Sequence, residues 1–449
     1  MRCSSARPPS RSRSRTRATS SSPRRRSWCW SAKGRARDNR GDLPRAAQNG
    51  SRSGARDPFS YGVVGSIAGG LPRARELLAR HWGYPRFRVP QLRVLGPLLA
   101  GRNVLTVLPT GAGKSLCYQV PALMGNALTL VVSPLISLMQ DQVGALRRRG
   151  VAAAYLNSAL PREARRAVLE ATLAGQVRLL YCAPERLGSL VGALRRAGIR
   201  PALLAVDEAH CITEWGNEFR PVYRQLGRWR YLLGDPPTLA LTGSATPHTR
   251  ADILHVLRIP QADVVVTSFD RPNLRFAVER VKDNRTRFAR LRELIRGAGG
   301  AVVIYAPTRR LVELVTRALL RRSVGAAPYH AGLTAAVRRR VLDAFLGDRV
   351  AVVVATTAFG MGIDKPDVRR VLHWGPARTL EGYYQEAGRA GRDGGPAGCW
   401  VLWRPEDFGF GEHAAAMRRY VEAWRCRRRM LLEYFGERLD GCSGCDVCG

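Results

Sequence analysis

Lysine and long apolar runs are both scarce in this chain of 449 residues, and each shortage limits what the protein can be. Four of its 73 basic residues are lysines (Lys33, Lys114, Lys282 and Lys365), so arginine carries nearly all the positive charge. No run reaches the roughly 18 apolar residues that a membrane-spanning helix needs. The basic N-terminus also lacks the apolar core of a secretory signal peptide, which predicts a cytoplasmic protein.

Acidic residues are scarce too, with 35 Asp and Glu against 73 Lys and Arg, so the formal net charge is +38. Such a charge makes a polyanion the first partner to consider, and nucleic acid is the commonest one. A GC-rich gene would also enrich arginine, but the charge acts physically whatever its origin. Hydrophobic residues make up 45% of the chain, which excludes a wholly disordered basic protein.

Residues 1–60 differ from the rest of the chain in composition. They contain 15 Arg and one Lys against three Asp, about a third of the net charge, and they show no apolar periodicity. This composition predicts a disordered tail. Two interpretations stay open: a functional tail that binds phosphates, or translation from an upstream start codon.

Beyond the tail, short apolar runs alternate with amphipathic stretches, which predicts βαβ units and parallel sheets covered by helices. The predicted strands are Val104–Leu108, Leu128–Ser133, Val177–Tyr181, Leu203–Val206, Thr238–Thr242, Ala301–Ala306, Val350–Ala355 and Val368–His373. The predicted helices include Lys114–Met124 and Arg162–Leu173. We therefore expect two α/β domains in tandem, at 61–262 and 263–411, followed by a small helical, cysteine-rich module at 412–449.

Residues 109–115, with the sequence Pro-Thr-Gly-Ala-Gly-Lys-Ser, follow a predicted strand and open a predicted helix, as a phosphate-binding P-loop requires. The strict pattern has glycine where this chain has Leu108, a departure that is typical of helicases. Lys114 would reach the β- and γ-phosphates, and the Ser115 hydroxyl would hold Mg²⁺. The predicted nucleotide-binding residues of the loop are Thr110, Gly111, Gly113, Lys114 and Ser115. The alternative is a glycine-rich turn that precedes a helix without binding a ligand.

Hydrolysis at a P-loop also needs an acidic residue for the metal ion and a positive charge near the γ-phosphate, and two further pairs of residues are candidates for these roles. Asp207 and Glu208 follow an apolar strand, where Asp207 can hold Mg²⁺ and Glu208 can deprotonate the attacking water. Arg389 and Arg392 stand among small residues in the second half of the chain. An arginine delivered to the γ-phosphate stabilises charge in the transition state.

These residues resemble those of superfamily 2 helicases, and within them the RecQ DNA helicases, from about His81 to Gly449. The segments that carry the resemblance are 82–91, 133–142, 242–246, 268–274, 358–366 and 383–393. The resemblance implies two RecA-like domains, an adenine-binding motif that contains Tyr84, Arg88 and Gln91, and a base-reading role for Gln91. It also places Arg389 and Arg392 in helicase motif VI.

Residues 211–221 resemble the aromatic-rich loop that couples DNA contact to ATP hydrolysis in this family. Trp215 and Phe219 offer faces for base stacking, and Arg220 can hold a phosphate. The family usually has histidine where this chain has Asn217. The alternative is that both aromatic side chains belong to the core.

Four of the ten cysteines, Cys426, Cys442, Cys445 and Cys448, gather at the end of the chain. Four thiolates can close a tetrahedral, structural zinc site, and the surrounding sequence resembles the RecQ zinc module. The arginines nearby are expected to add phosphate contacts: Arg418, Arg419, Arg425, Arg427, Arg428 and Arg429.

The resemblance implies an ATP-dependent, 3′-to-5′ DNA helicase of DNA repair or recombination that uses ATP, Mg²⁺ and Zn²⁺. We expect a monomer that binds single-stranded and tailed duplex DNA, associated with the nucleoid if the source is bacterial, and no membrane partner. We also expect no winged-helix or further C-terminal domain, since the chain ends one residue after Cys448. The alternatives are an RNA helicase of the same superfamily and a nucleic-acid-binding zinc protein with weak ATPase activity.

Overall fold

A computed structural model of the chain describes residues 70–109, 111–214, 221–360, 365–408 and 412–449. The tail of residues 1–60 lies outside these ranges. Within them the chain forms two parallel β-sheets, each with helices packed against both faces. The predicted α/β class, with two tandem RecA-like domains and a small C-terminal module, is confirmed.

The first sheet consists of seven short strands, most of them apolar and buried along their length. They are β1 (Val104–Val107), β2 (Thr129–Val132), β3 (Ala153–Leu156), β4 (Leu179–Cys182), β5 (Leu203–Val206), β6 (Thr238–Thr242) and β7 (Asp263–Val266). Their spatial order is β3-β4-β2-β5-β6-β1-β7, and all neighbouring pairs are parallel.

The helices of this first half are α1 (Gly70–Trp82), α2 (Val89–Leu99), α3 (Leu116–Gln119), α4 (Ile136–Arg148), α5 (Arg162–Leu173), α6 (Pro184–Arg196), α7 (Cys211–Glu214), α8 (Leu226–Leu232) and α9 (Pro247–Leu257). Leu204 and Val206 of β5 pack on one face with α6, α8 and α9. Leu203 and Ala205 pack on the other face with α2, α3 and α4. Because both faces are covered, the central strands are continuously apolar.

The second sheet follows the same plan. Its strands are β8 (Leu274–Arg280), β9 (Ala301–Tyr305), β10 (Ala326–Tyr329), β11 (Val352–Ala355), β12 (Val368–Trp374) and β13 (Ala397–Trp403). Their spatial order is β10-β11-β9-β12-β13-β8, again with parallel neighbours. The helices are α10 (Asn284–Arg296), α11 (Arg309–Leu320), α12 (Ala335–Leu346), α13 (Leu380–Ala387), α14 (Glu412–Glu422) and α15 (Arg427–Tyr434).

Strand β7 belongs to the first sheet, since it pairs with β1 along all four residues. The division predicted between residues 262 and 263 therefore falls one strand too early. The first sheet extends to Val266, and the second begins at Leu274. Residues 267–273 connect them.

The predicted helix from Lys114 to Met124 is shorter in the structure. Helix α3 ends at Gln119, and a 3₁₀ turn spans Pro121–Leu123. Proline has no backbone N–H to continue the helical hydrogen bonds, which explains the break. By contrast, the predicted helix Arg162–Leu173 is confirmed residue for residue. In the part of the chain that the structure describes, no helix has the length and apolar character needed to cross a membrane.

Candidate active site and metal centre

The P-loop lies at the carboxyl end of β1, where the chain turns toward α3. Gly111 and Gly113 have φ angles of +86° and +75°, a left-handed conformation that glycine adopts without strain. A Cβ atom on Gly113 would also lie 2.5 Å from the side-chain nitrogen of Gln91. The Lys114 ammonium donates to the carbonyl oxygen of Leu108 at 3.1 Å. The loop thus surrounds the Lys114 side chain and holds its positive charge near the carboxyl end of β1.

The buried Gln91 connects the predicted adenine motif to the P-loop. Its side-chain nitrogen donates to the carbonyl oxygens of Ala112 and Gly113, each at 3.1 Å. Its side-chain oxygen accepts the Arg88 amide at 2.9 Å. The Arg88 guanidinium in turn donates to the carbonyl oxygen of Gly111 at 2.9 Å. These contacts brace the P-loop, and the role of Gln91 in base recognition stays a prediction.

A cavity of about 470 Å³ lies between the P-loop and the end of α13. Its lining includes most of the residues predicted to bind or hydrolyse a nucleotide: Tyr84, Arg88, Gln91, Gly111, Gly113, Lys114, Ser115, Asp207, Glu208, Arg389 and Arg392. Other lining residues to which the sequence assigned no role include Arg86, Asp141, Gln142, Gly360 and Gln385. Thr110 lies outside the described residues. Residues from both sheets therefore meet around a volume typical of small-molecule sites.

The acidic pair stands at the carboxyl end of β5, and the Asp207 amide donates to the carbonyl oxygen of Val132 at 2.8 Å. Asp207 is 7% exposed. Burial, followed by the charge of Glu208, raises the pKa of Asp207 to about 7, and the Lys114 ammonium opposes this rise. Glu208 has a φ angle of +48°, which strains a residue other than glycine. Raised carboxylate pKa values and local strain are both frequent at catalytic centres.

If Asp207 holds Mg²⁺ as the sequence predicts, the raised pKa of Asp207 means that affinity for Mg²⁺ should fall below neutral pH. A carboxylate must be ionised to hold a cation, so affinity should fall about tenfold for each pH unit below about 7. The measurement is the Mg²⁺ dependence of fluorescent ATP binding across this range. Affinity that stays constant from pH 8 down to about pH 5.5 would contradict the assignment.

The raised pKa of Asp207 also determines how this residue changes the stability of the protein with pH. The folded protein keeps a proton on Asp207 that the unfolded chain has already released. The stability of the protein without bound nucleotide should therefore fall as the pH rises from the ordinary Asp pKa of 3.8 to about 7, and this contribution should change no further above that pH.

A polar network that the sequence did not predict joins the acidic pair to the second sheet. The His210 Nδ1 atom lies 2.9 Å from the Thr242 hydroxyl and 3.4 Å from a carboxylate oxygen of Glu208. The Gln385 amide nitrogen, on α13, donates to the Ser244 hydroxyl at 2.7 Å and lies 3.4 Å from His210 Nε2. Glu208 is thus linked through a histidine to the helix that precedes the two arginines. The only hint of this network in the sequence is that His210 follows Glu208 by two residues.

Arg389 and Arg392 lie on the loop after α13, and both line the cavity. Arg389 is buried against Gly360, where an added Cβ atom would lie 3.1 Å from its Nη2 atom. The arginines and the P-loop belong to different sheets. An arginine in this place can therefore make hydrolysis depend on the separation of the two domains.

The predicted DNA-coupling residues Trp215, Phe219 and Arg220 lie outside the described residues. Helix α7 ends at Glu214, and the next residue that the structure describes is Pro221. Their role in coupling stays a prediction.

Four cysteine sulfurs meet at the end of the chain. The Sγ atoms of Cys426, Cys442, Cys445 and Cys448 all lie within 4.8 Å of one another. Burial would raise the pKa of Cys445, but backbone amides that donate to its sulfur lower it to about 7. A lowered pKa favours the thiolate, which is the form that binds metal. Hydrogen bonds with neighbouring sulfurs raise the pKa of Cys448 to about 12, and burial raises the pKa of Cys442, so the fit to a metal rests on the convergence of the four sulfurs. The cluster therefore fits the tetrahedral zinc ion predicted from the sequence.

Strand β8 anchors this cluster to the second domain. The Asp446 amide donates to the carbonyl oxygen of Phe276 at 3.0 Å, and its carboxylate accepts the Val278 amide at 2.9 Å. The Arg427 guanidinium donates to the Asp446 carboxylate at 3.0 Å. Arg427 and Arg428 are both buried. The expectation that these two arginines contact phosphates is therefore wrong, because their guanidinium groups bind partners inside the protein.

A P-loop on one parallel sheet, facing two arginines from a second parallel sheet, defines the class of two-domain P-loop motor proteins. Residues 88–253 match the family described as DEAD/DEAH box helicase. Residues 286–394 match the helicase conserved C-terminal domain, and residues 411–449 match the RecQ zinc-binding family. These domains and the cysteine cluster support ATP and zinc as the ligands of the two sites.

Two relatives make the assignment more specific. The ATP-dependent DNA helicase RecQ of Haemophilus influenzae is 41% identical over 398 residues, which cover 84% of this chain and 64% of that protein. The ATP-dependent DNA helicase RecQ of Bacillus subtilis is 40% identical over 399 residues, covering 84% of this chain and 67% of that protein. The chain belongs to the RecQ family of helicases. It spans about two thirds of the length of these relatives.

The fold is shared with more distant helicases. The structure of Mycobacterium smegmatis helicase Lhr bound to ssDNA and AMP-PNP has a TM-score of 0.59 and 21% sequence identity. It covers 80% of this chain, which corresponds to 50% of that chain. At this identity the similarity concerns the fold alone.

Proposed function

We propose that the chain is an ATP-dependent DNA helicase that moves 3′ to 5′ on single-stranded DNA and unwinds duplex DNA in repair or recombination. The observation that carries the proposal is the cavity in which Lys114 and the acidic pair of one sheet face Arg389 and Arg392 of the other. The polarity and the preference for DNA rest on membership of the RecQ family.

Mg²⁺ is part of this proposal. The Ser115 hydroxyl and the Asp207 carboxylate both line the cavity beside Lys114, and oxygen donors of this kind suit Mg²⁺. The ion would neutralise phosphate charge. The buried position of Asp207 supports the assignment, because an ionised carboxylate there needs a cation to offset the cost of desolvation.

The remaining residues act directly on the nucleotide and on water. Lys114 binds the β- and γ-phosphates, and Glu208 accepts the proton of the attacking water. Arg389 and Arg392 stabilise the charge that develops on the transferred phosphoryl group. The link from Glu208 through His210 to Gln385 supports this role, because it connects the proposed proton acceptor indirectly to the domain that supplies the arginines.

The proposed partners are single-stranded and tailed duplex DNA. The net charge of +38 supports binding to a polyanion. On the zinc module, Trp424 is 93% exposed, and Arg419, Arg425 and Arg429, which lie within five positions of it in the sequence, are also exposed. An exposed indole among guanidinium groups suits base stacking combined with phosphate contact. We also propose that the protein acts as a monomer, which sedimentation at working concentration would test.

Unwinding of a 3′-tailed duplex, with a 5′-tailed duplex as control, tests the proposal. ATP-driven unwinding of the 3′-tailed substrate alone is the expected result. ATPase stimulation by single-stranded DNA, compared with RNA of the same sequence, separates a DNA helicase from an RNA helicase. Absence of measurable turnover would favour a nucleic-acid-binding zinc protein instead.

The proposed coupling role of Trp215 yields a separate prediction. Trp215→Ala should leave ATP hydrolysis without DNA largely unchanged but reduce its stimulation by single-stranded DNA, because a stacking face worth about 1–3 kcal/mol per base is removed. ATPase assays with and without DNA are the measurement. The exposed Tyr231 of α8 offers a matched control, Tyr231→Ala. Unchanged stimulation in Trp215→Ala would indicate that this tryptophan has a structural role only.

A further inference from the structure

The loop of residues 388–395, which carries Arg389 and Arg392, follows directly on the end of α13. The last carbonyl groups of a helix lack intrahelical partners, and a nearby cation stabilises them. The Arg271 guanidinium donates three hydrogen bonds to this loop, at 2.9 to 3.2 Å. The acceptors are the carbonyl oxygens of Gly388, Ala390 and Gly391. Arg271 therefore holds the backbone on both sides of Arg389.

Asn273 reinforces the same attachment. Its side-chain nitrogen donates to the carbonyl oxygens of Gly391 at 2.8 Å and of Gly395 at 2.9 Å. Gly391 has a φ angle of +54°, and an added Cβ atom would lie 2.7 Å from the Gly395 carbonyl oxygen and would clash with the Asn273 side chain. The loop thus closes tightly on the segment of residues 268–274.

The zinc module holds that segment from its other side. Arg428, which is 1% exposed, lies two residues after the zinc ligand Cys426. Its guanidinium donates to the Asp270 carboxylate, to the carbonyl oxygen of Arg271 at 2.8 Å and to that of Leu274. The backbone that carries the Arg271 side chain is therefore held by a residue next to the metal centre.

Aromatic packing makes the segment rigid. The rings of Phe269 and Phe435 stack with their centres 4.5 Å apart and an angle of 10° between their planes. The Glu437 carboxylate accepts the Phe269 amide at 2.7 Å. On the opposite side, the Tyr384 hydroxyl of α13 donates to the Phe269 carbonyl oxygen at 2.7 Å. The segment is thus packed between the zinc module and the helix that precedes the two arginines.

We propose that Arg271 is a positioning residue for ATP hydrolysis, which sets the placement of Arg389 and Arg392, and that Arg428 couples the zinc module to it. The inference rests on the proposed function. Arg271 is not among the described residues that line the nucleotide cavity, so it acts through the loop. A guanidinium suits this task because its planar fork reaches three acceptors, whereas the lysine ammonium is a single point charge.

Steady-state ATPase kinetics test the first half of the proposal. Arg271→Lys should lower kcat by about 100-fold, because small displacements of catalytic groups have effects of this size. The KM for ATP should stay within about twofold, since the P-loop that binds ATP is unchanged. Arg275→Lys is the matched control, because Arg275 lies four residues further along the chain, on β8, with its side chain exposed.

The coupling of the zinc module to Arg271 is tested with Arg428→Gln. Arg429→Gln is the control, because Arg429 lies on the same helix with its side chain exposed. Deuterium uptake of residues 388–395, measured by mass spectrometry, should rise in Arg271→Lys and in Arg428→Gln but not in the two controls. In a double variant, Arg271→Lys with Arg392→Ala, the loss of kcat should be smaller than the product of the two single losses, because Arg271 acts partly through Arg392.

Turnover and DNA stimulation of the unaltered protein report on the proposed function independently of these variants. A normal kcat and unchanged deuterium uptake in Arg271→Lys would overturn the inference and leave the proposed function standing. Fully multiplicative losses in the double variant would overturn it as well. If Arg271→Lys does not fold, the uptake of the loop in Arg428→Gln decides, and no increase there refutes the coupling.

Discussion

Glu208→Gln is expected to lower the rate of ATP hydrolysis by about 100-fold or more while ATP still binds. The amide has the shape of the carboxylate but cannot accept a proton from water. It also keeps the φ angle of +48° that this position requires, so the fold should be preserved. Single-turnover hydrolysis and fluorescent ATP binding, measured on the same preparation, separate the chemical step from affinity.

Two further variants help to interpret the behaviour of Glu208→Gln. Lys114→Ala should also stop hydrolysis, and it should weaken ATP binding as well, because under the proposed function the ammonium binds the phosphates before the reaction begins. Glu163→Gln, at an exposed position in the first turn of α5, should hydrolyse ATP normally. Near-normal turnover in Glu208→Gln would remove this residue from the proposed mechanism.

Cys445→Ser should release zinc and markedly destabilise the protein. Cys445 is fully buried in the cluster, and a serine hydroxyl is a poor ligand for zinc. Zinc binding contributes on the order of 10 kcal/mol to the folding of small zinc modules at neutral pH. Metal analysis should find about one zinc per chain before the change and far less after it, and the midpoint of thermal unfolding should fall.

A matched control is available in the first sheet, where Cys182 is also fully buried but lies outside the cluster. Cys182→Ser should cost some stability through burial of a hydroxyl but leave the zinc content unchanged. A folded, active Cys445→Ser protein that retained a full equivalent of zinc would show that the four sulfurs do not form the site.

The central strands were predictable from the sequence because parallel strands buried on both faces are continuously apolar. Two of them, β5 and β6, have the predicted bounds, and β1, β2 and β9 differ by one or two residues. The strands that were missed lack this signal. Strands β3 and β10 are edge strands that each begin with two alanines, and β10 contains Pro328, which only an edge position tolerates easily.

The sequence did not predict strand β13, for a different reason. It begins with Ala397 and Gly398, which are weak strand formers, yet it lies inside the second sheet between β12 and β8. Its stability comes from these two neighbours, whose pairing no local pattern reveals.

The sequence alone determined the local parts of the sites, because the P-loop, the acidic pair and the cysteine cluster are short motifs whose spacing reflects their geometry. It also predicted which residues carry chemistry, and the structure brings most of them to one cavity although they lie nearly 300 positions apart. The tertiary structure decided how these parts are joined. The contacts of Arg271 with the loop after α13 span 117 to 120 positions, and the contact of Arg428 with Asp270 spans 158. A hydrogen bond between residues so distant leaves no periodicity in the sequence, since it depends on how two domains and a zinc module pack together.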